Sequence, residues 1–259
     1  MREQTINDTK IWMFTNKLCL NHSKTEFIIF GQRRHTKNMP YCVLNIDEEE
    51  IEPTDSVKSL GVILDSALNF REHISNIIRV CRFHIRKAWL IRRYLNEESA
   101  QKIMLALVMS RLDYCNSLLV NLPSKDIKQL QKVQNAAARL VTLTPKSQPI
   151  TPSLKRLHWL PVKFRIKYKI ATIVHKCLYG KAPTYLKALI QPYIPARNLR
   201  SATELKLSVP PVNQATLGNR AFSRAGPKEW NELPYRLRST ESLVKFKSNL
   251  KTYYFNVAF

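Results

Sequence analysis

Carboxylates are the residues that would let this chain act on phosphodiesters, and their spacing does not build a metal clamp. Two-metal nucleotidyl transfer needs carboxylates converging on ions about 3.5–4 Å apart. The sequence contains no Asp-Asp pair. Its acidic cluster, Asp47-Glu48-Glu49-Glu50, is contiguous, so alternate side chains of an extended segment point apart, and a solvated turn is expected. Asp65 and Asp113 stand alone beside apolar runs; helix-end or pairing roles are expected of them. His158, within Leu157-His158-Trp159-Leu160-Pro161, is expected to pack in an apolar turn. No Ser-His-Asp or Cys-His arrangement can be drawn. The five cysteines (19, 42, 81, 115 and 177) are widely spaced, without a CxxC or Cys/His cluster. Neither a disulfide framework nor a zinc site is expected, and a reducing nucleus or cytoplasm fits best. Five glycines form no nucleotide-binding loop. No catalytic residue, metal site or cofactor is therefore assigned from the residues themselves.

Binding chemistry is far better represented. From Ile127 to Thr203 the chain runs 77 residues without Asp or Glu while carrying 15 Lys or Arg. The whole chain has 42 Lys+Arg against 19 Asp+Glu. A one-signed field opposes compaction, so it makes sense when a partner supplies the negative charge. Nucleic acid is the densest such partner; an anionic membrane surface is the second candidate. No segment reads as a membrane span, because Ile103–Val120 is interrupted by Ser110, Arg111 and Asp113.

The elements that must carry these charges follow from periodicity. Short β-rich runs are expected at Thr25–Gly31, Tyr41–Ile46 and Val57–Leu64, after a helical turn around Trp12–Leu18. A helix over Glu72–Leu95 places Ile74, Ile78, Cys81, Ile85, Ala88 and Ile91 on one face. On the opposite side Arg79, Arg82, Arg86 and Arg93 span about 60° of arc, with Phe83 about 40° from Arg79. Guanidinium groups there suit phosphates, and Phe83 suits a sugar or base. Asn96 is expected to cap an apolar helix over Glu97–Leu122, which Pro123 ends. Ser124 would cap a third, with Ile127, Leu130, Val133, Ala137 and Leu140 inward. A hinge is expected at Thr144–Pro152, then helices Pro161–Tyr179 (ended by Gly180) and one opened by Pro183. Gln191–Pro234 holds six of the fourteen prolines and reads as loops with short strands. A final helix is expected over Thr240–Tyr254.

Several blocks in fixed order carry a family resemblance. Ser110–Leu119 (SRLDYCNSLL), Leu130–Arg139 (LQKVQNAAAR) with Leu140, Leu157–Val162 (LHWLPV), Leu199–Ser201, Ala221–Ser223 and Trp230–Pro234 (WNELP) together resemble the C-terminal part of non-LTR retrotransposon (LINE-type) reverse transcriptases. The jockey-like and chicken-repeat-like branches are the nearest in pattern. The resemblance implies that Asn21–Thr25 corresponds to the segment after the catalytic aspartate pair, with Lys24 in the place of a lysine that assists pyrophosphate departure. It also implies that Ser59-Leu60-Gly61-Val62 is the hairpin that grips the primer, with Leu60 and Gly61 at its tip. On that correspondence the magnesium-binding aspartates lie upstream of Met1. Mg²⁺ would then be a cofactor of the parent family without ligands here, and Lys24 would match by position only.

The expectation is thus an α+β, mainly α protein: a palm remnant over 1–68, a helical thumb over 69–145, and a basic C-terminal domain over 146–259. Its expected function is that of a polymerase fragment that holds RNA or DNA, in particular an RNA–DNA or DNA duplex, through Arg79, Arg82, Phe83, Arg86 and Arg93. Two alternatives stand beside it. One is a structural or interaction remnant without nucleic-acid binding; the other is a subunit complementing a separate polymerase.

Overall fold

The structure, a computed structural model, describes residues 2–21, 24–31, 43–46, 49–195, 204–212 and 215–259. It is mainly helical with two small antiparallel sheets, the mainly α form of the α+β class. The chain divides into two compact units, Met1–His73 and Ile74–Phe259.

In the first unit, helix α1 (Arg2–Thr15) opens the chain, longer than the single turn expected around Trp12–Leu18. Ile6, Ile11, Trp12 and Phe14 fall on different sides of such a helix, so periodicity gives it no signal. Strand β1 (Leu44–Ile46) pairs antiparallel with β2 (Glu49–Ile51). The expected strand Thr25–Gly31 does not form: it contributes one bridge, Phe27 to Pro53. A proline opposite has no N–H to extend a ladder. The run Val57–Leu64 is not one strand but a hairpin of β3 (Ser56–Ser59) and β4 (Val62–Asp65). Its two turn residues, Leu60 (φ 47°) and Gly61 (φ 84°), both lie in the left-handed region, which is what a tight two-residue hairpin requires. Asp65 then accepts hydrogen bonds from the Asn69 and Phe70 N–H groups at 2.8 and 2.6 Å; it shapes the entry to the next helix. Tyr41, Cys42, Asp47 and Glu48 lie outside the described residues.

The second unit is built on helices whose inner faces were legible. Helix α2 (Arg71–Ile91) buries Ile74, Ile78, Cys81 and Ala88. It ends four residues earlier than expected, in a 3₁₀ turn Arg92–Tyr94, and Ile91 is exposed. Arg92 causes this stop: its buried guanidinium donates to the carbonyls of Leu140, Val141 and Leu95. Asn96 does cap α3 (Glu97–Met104), accepting from the Ser99 N–H at 2.8 Å.

The expected helix Glu97–Leu122 is not continuous. A π turn over Leu105–Met109 leads into the short α4 (Ser110–Asp113). Cys115 then adopts a left-handed backbone, and Asn116–Leu119 is a 3₁₀ turn. The added π residue rotates the following side chains, so that Val108, Met109 and Leu112 all stay buried. Helix α5 (Ser124–Thr142) buries Leu130, Val133, Ala137 and Leu140. Ser124 is its first helical residue rather than its cap, and Pro123 holds the cap position without a side-chain bond.

After the loop that follows α5 come α6 (Thr151–Arg156), α7 (Val162–Leu178), α8 (Thr184–Lys187) and α9 (Ala215–Gly218). Gly180 (φ 67°) follows α7 in the left-handed conformation that favours glycine. Two glutamines on α5 hold the Leu157–Val162 corner. Gln134, fully buried, donates to the Leu160 carbonyl at 2.8 Å, and Gln131 accepts from the Val162 N–H at 2.8 Å. Leu157, Trp159 and Leu160 are buried, so this block forms a packed core corner.

The loop reading of Gln191–Pro234 misses two helices, the four-residue α9 and a longer one. Helix α10 (Phe222–Asn231) contains Pro227, which removes one backbone donor and argues against a helix locally. Packing overrides that penalty: α10 lies on α7, and a Cβ at Gly226 would sit 3.0 Å from Val174 Cγ2. Trp230 is 0% exposed and donates to the Leu205 carbonyl at 3.0 Å. Asn231 bonds both the N–H and the carbonyl of Leu207, standing in for a neighbouring strand. The short α11 (Tyr235–Arg238) and α12 (Leu243–Ala258), capped by Ser242, close the unit. The Leu199–Ser201 block lies outside the described residues.

One buried histidine makes this core pH-sensitive. His175 on α7 packs on Phe246, ring centroids 4.3 Å apart, and its Nε2–H donates to the Thr240 carbonyl at 2.8 Å. Burial lowers its pKa below the usual 6.5; the Thr240 bond opposes this and the Lys181 charge adds to it. The unfolded chain therefore binds a proton that the folded chain does not. Stability is lost as pH falls below about 6.5, until the lowered folded value is reached. Thermal melts from pH 7.5 to 5.5 should show a falling Tm. His175→Gln should shrink the slope without abolishing it, because burial also lowers His73. An unchanged slope would remove His175 as its source.

Candidate nucleic-acid interface

Four of the five residues expected on the basic stripe meet at one groove. Arg79, Arg82, Phe83 and Arg86 on α2 line it with Ser75 and Ile78 of the same helix and Gln129 of α5, enclosing about 560 Å³. The helix places them together because offsets of 3, 4 and 7 residues return to one face. All three arginines are exposed. Arg79 donates to Asn76 Oδ1 at 2.9 Å. None of the three arginines pairs with a carboxylate among the described residues. Phe83, 55% exposed, sits edge-on to His84 with Lys87 Nζ 5.8 Å from its ring centre.

Arg93 is not part of this groove. It lies in the 3₁₀ turn beyond the helix, with its guanidinium 4.6 Å over the Tyr94 ring. The break at Ile91 takes it off the helical count that placed it with the other three. Trp89, exposed on the same helix, was missed by sequence reasoning. Its offset of 7 from Arg82 puts it on the same side, and that spacing is the signal that could have found it.

The remaining assigned residues belong to the first unit. Lys24 is exposed, in a turn where its N–H donates to the Asn21 carbonyl. Leu60 is 88% exposed at the tip of the β3–β4 hairpin, followed by Gly61.

The isolated acids have structural partners. Asp113 receives a two-pronged hydrogen bond from Arg165, and Glu229 pairs with Lys167 at 2.7 Å. Among the described residues no group of three or more His, Cys, Asp or Glu side chains could hold a metal ion. Nor is any helix among them long and apolar enough to cross a membrane. The cysteines described (19, 81, 115 and 177) are free thiols.

No protein-family model and no solved structure matches this chain. Over 134 residues it is 28% identical to a Drosophila melanogaster protein described as "Probable RNA-directed DNA polymerase from transposon X-element". The aligned part is 51% of this chain and 14% of that protein. The chain is thus similar in sequence to a transposon RNA-directed DNA polymerase, over a small share of that protein's length.

Proposed function

We propose that this chain holds a nucleic-acid duplex on the outer face of α2, as the thumb-like part of a retrotransposon polymerase holds its primer–template. The observation that carries the reading is the groove where Arg79, Arg82 and Arg86 flank exposed Phe83. Arg79 to Arg86 covers about 10 Å of helix axis, over which a duplex presents about six phosphate charges. The three guanidinium groups have more than enough phosphates within reach, and Phe83 can lie against a sugar. In the same reading, the Leu60–Gly61 hairpin is the primer grip, Lys24 is a positional match only, and the order of the blocks from Ser110 to Pro234 supports a position at the C-terminal end of a jockey-like enzyme. Binding, rather than polymerisation, is the activity assigned to this chain, in nucleus or cytoplasm.

Comparing two charge-matched variants tests the groove. Arg79, Arg82 and Arg86→Gln should weaken duplex binding about tenfold or more near physiological salt. It should also lower the log–log salt slope by about 2.7, three phosphates at 0.9 each. Lys187, Lys228 and Lys245→Gln removes three exposed charges elsewhere and should cost much less. Both variants should melt like the parent. Equal losses would mean a diffuse basic field, and the groove would have no special role. Tighter binding to anionic vesicles than to duplex would favour a membrane surface instead.

A further inference from the structure

A second cavity in the Ile74–Phe259 unit has no role in the duplex reading. It encloses about 460 Å³ between Asp113, Asn116, the Leu157–Leu160 corner, Arg165, Tyr168 and Lys169 of α7, and Lys251 of α12. Two blocks far apart in sequence, Ser110–Leu119 and Leu157–Val162, meet at its wall. Three features of that wall exceed what packing requires. Asn116 and Trp159 are each buried, yet Asn116 Oδ1 and Trp159 Nε1 have no hydrogen-bond partner. A buried acceptor and a buried donor left unpaired are costly unless something meets them. The backbone is unusual at the same places: Cys115, beside Asn116, and His158 both have positive φ, and Leu105 on the wall begins the π turn. Such conformations cluster at ligand sites.

The charge and shape of the wall say what class of ligand fits. Arg165 is neutralised by Asp113, whereas Lys169 and Lys251 are exposed and have no carboxylate partner among the described residues. That leaves two uncompensated positive charges beside an aromatic and apolar wall of Trp159, Tyr168 and Leu160. An anionic group joined to a flat ring with donors and acceptors on its edge satisfies all of it. We infer that this cavity takes one unpaired nucleotide, its phosphate at Lys169 and Lys251 and its base against the Trp159 wall. Asn116 Oδ1 and Trp159 Nε1 are closed off in this structure, so the wall must part on binding for them to supply polar contacts to the base edge. Every base carries both donors and acceptors, so no base is selected by this pair alone. The inference extends the nucleic-acid reading but uses residues outside the α2 groove.

The test uses the full chain and four 5′-mononucleotides, with ribose 5-phosphate and inorganic phosphate as base-free probes. Titration is followed by calorimetry and by the Trp159 indole N–H resonance, assigned with Trp159→Phe. The mononucleotides should shift that resonance and bind at least about tenfold more tightly than ribose 5-phosphate, about 1.4 kcal/mol from the base. Lys169→Gln with Lys251→Gln, both at exposed positions, should weaken mononucleotides at least fivefold while the melt is unchanged. Arg79, Arg82 and Arg86→Gln should leave mononucleotide binding intact. Ribose 5-phosphate or phosphate binding as tightly as mononucleotides would overturn the inference, as would an unmoved indole signal at saturating nucleotide. Mononucleotide binding without duplex binding would leave the cavity standing and refute the groove.

Discussion

Trp230→Ala should destabilise the Ile74–Phe259 unit by about 3–5 kcal/mol, the usual cost of removing a fully buried large aromatic. The side chain is 0% exposed, its ring centroid lies 5.7 Å from that of Phe246, and its Nε1–H donates to Leu205. Alanine would open a cavity next to α7 and leave the Leu205 carbonyl without that donor. Trp230→Phe restores most of the volume but not the hydrogen bond, and should cost about 1–2 kcal/mol. Trp89→Ala removes the same kind of side chain from a site that is 56% exposed, and should cost well under 1 kcal/mol. Urea unfolding followed by circular dichroism ranks the three. A Trp230→Ala loss no larger than that of Trp89→Ala would mean that the Trp230–Pro234 corner is not packed as described.

Arg92→Met is expected to cost about 3 kcal/mol, although its neighbour Arg93 should be dispensable. Arg92 is 8% exposed and gives charge-assisted bonds to three backbone carbonyls at 2.7–2.8 Å. Two of these, Leu140 and Val141, belong to the last turn of α5, where orphan carbonyls and the helix dipole favour a cation. Each such bond to a charged donor contributes about 1.5–3 kcal/mol before the cost of burying the guanidinium is deducted. Lysine cannot reach three carbonyls in the fork geometry of arginine, so Arg92→Lys should recover less than half of the loss. Arg93→Met should change the unfolding free energy by about 0.5 kcal/mol or less. Equal effects at the two positions would contradict the orientation of the 3₁₀ turn.

The adjacent pair Arg92 and Arg93 shows where sequence reasoning reaches its limit. Helical counting assigns Arg93 to the exposed stripe, and it has no means of knowing that the helix unwinds at Ile91. The unwinding is set by carbonyls 48 and 49 residues away, a contact with no local trace. The same holds for the Glu97–Leu122 segment. An apolar run looks alike whether it continues as α-helix or passes through a π turn, because only the shape of the facing core chooses between them. Helix α10 was hidden for the opposite reason: Pro227 and the surrounding prolines are local signals against a helix, and burial of Trp230 outweighs them. Of the candidate interface, Arg79, Arg82, Phe83 and Arg86 were legible because eight consecutive residues of one regular helix carry them. That Asn116 and Trp159 line one cavity was not, since nothing in either block refers to the other.

What the amino-acid sequence determined by itself is whatever repeats within a few residues or sums over all of them. The 3.6-residue pattern marked the buried faces of α2 and α5, and Asn96 marked a helix start; the hairpin at Leu60–Gly61 was implied by the family resemblance, while the residues alone read as one strand. Charge counting found the basic field without any geometry, since Coulomb attraction to a polyanion depends on the total as well as on the placement. Tertiary structure decided which arginine is buried and which is free, where helices stop, and which distant blocks share a cavity. Those outcomes turn on desolvation and close packing between segments tens of residues apart. Such interactions exist only after the chain has closed on itself, so they leave no period to read.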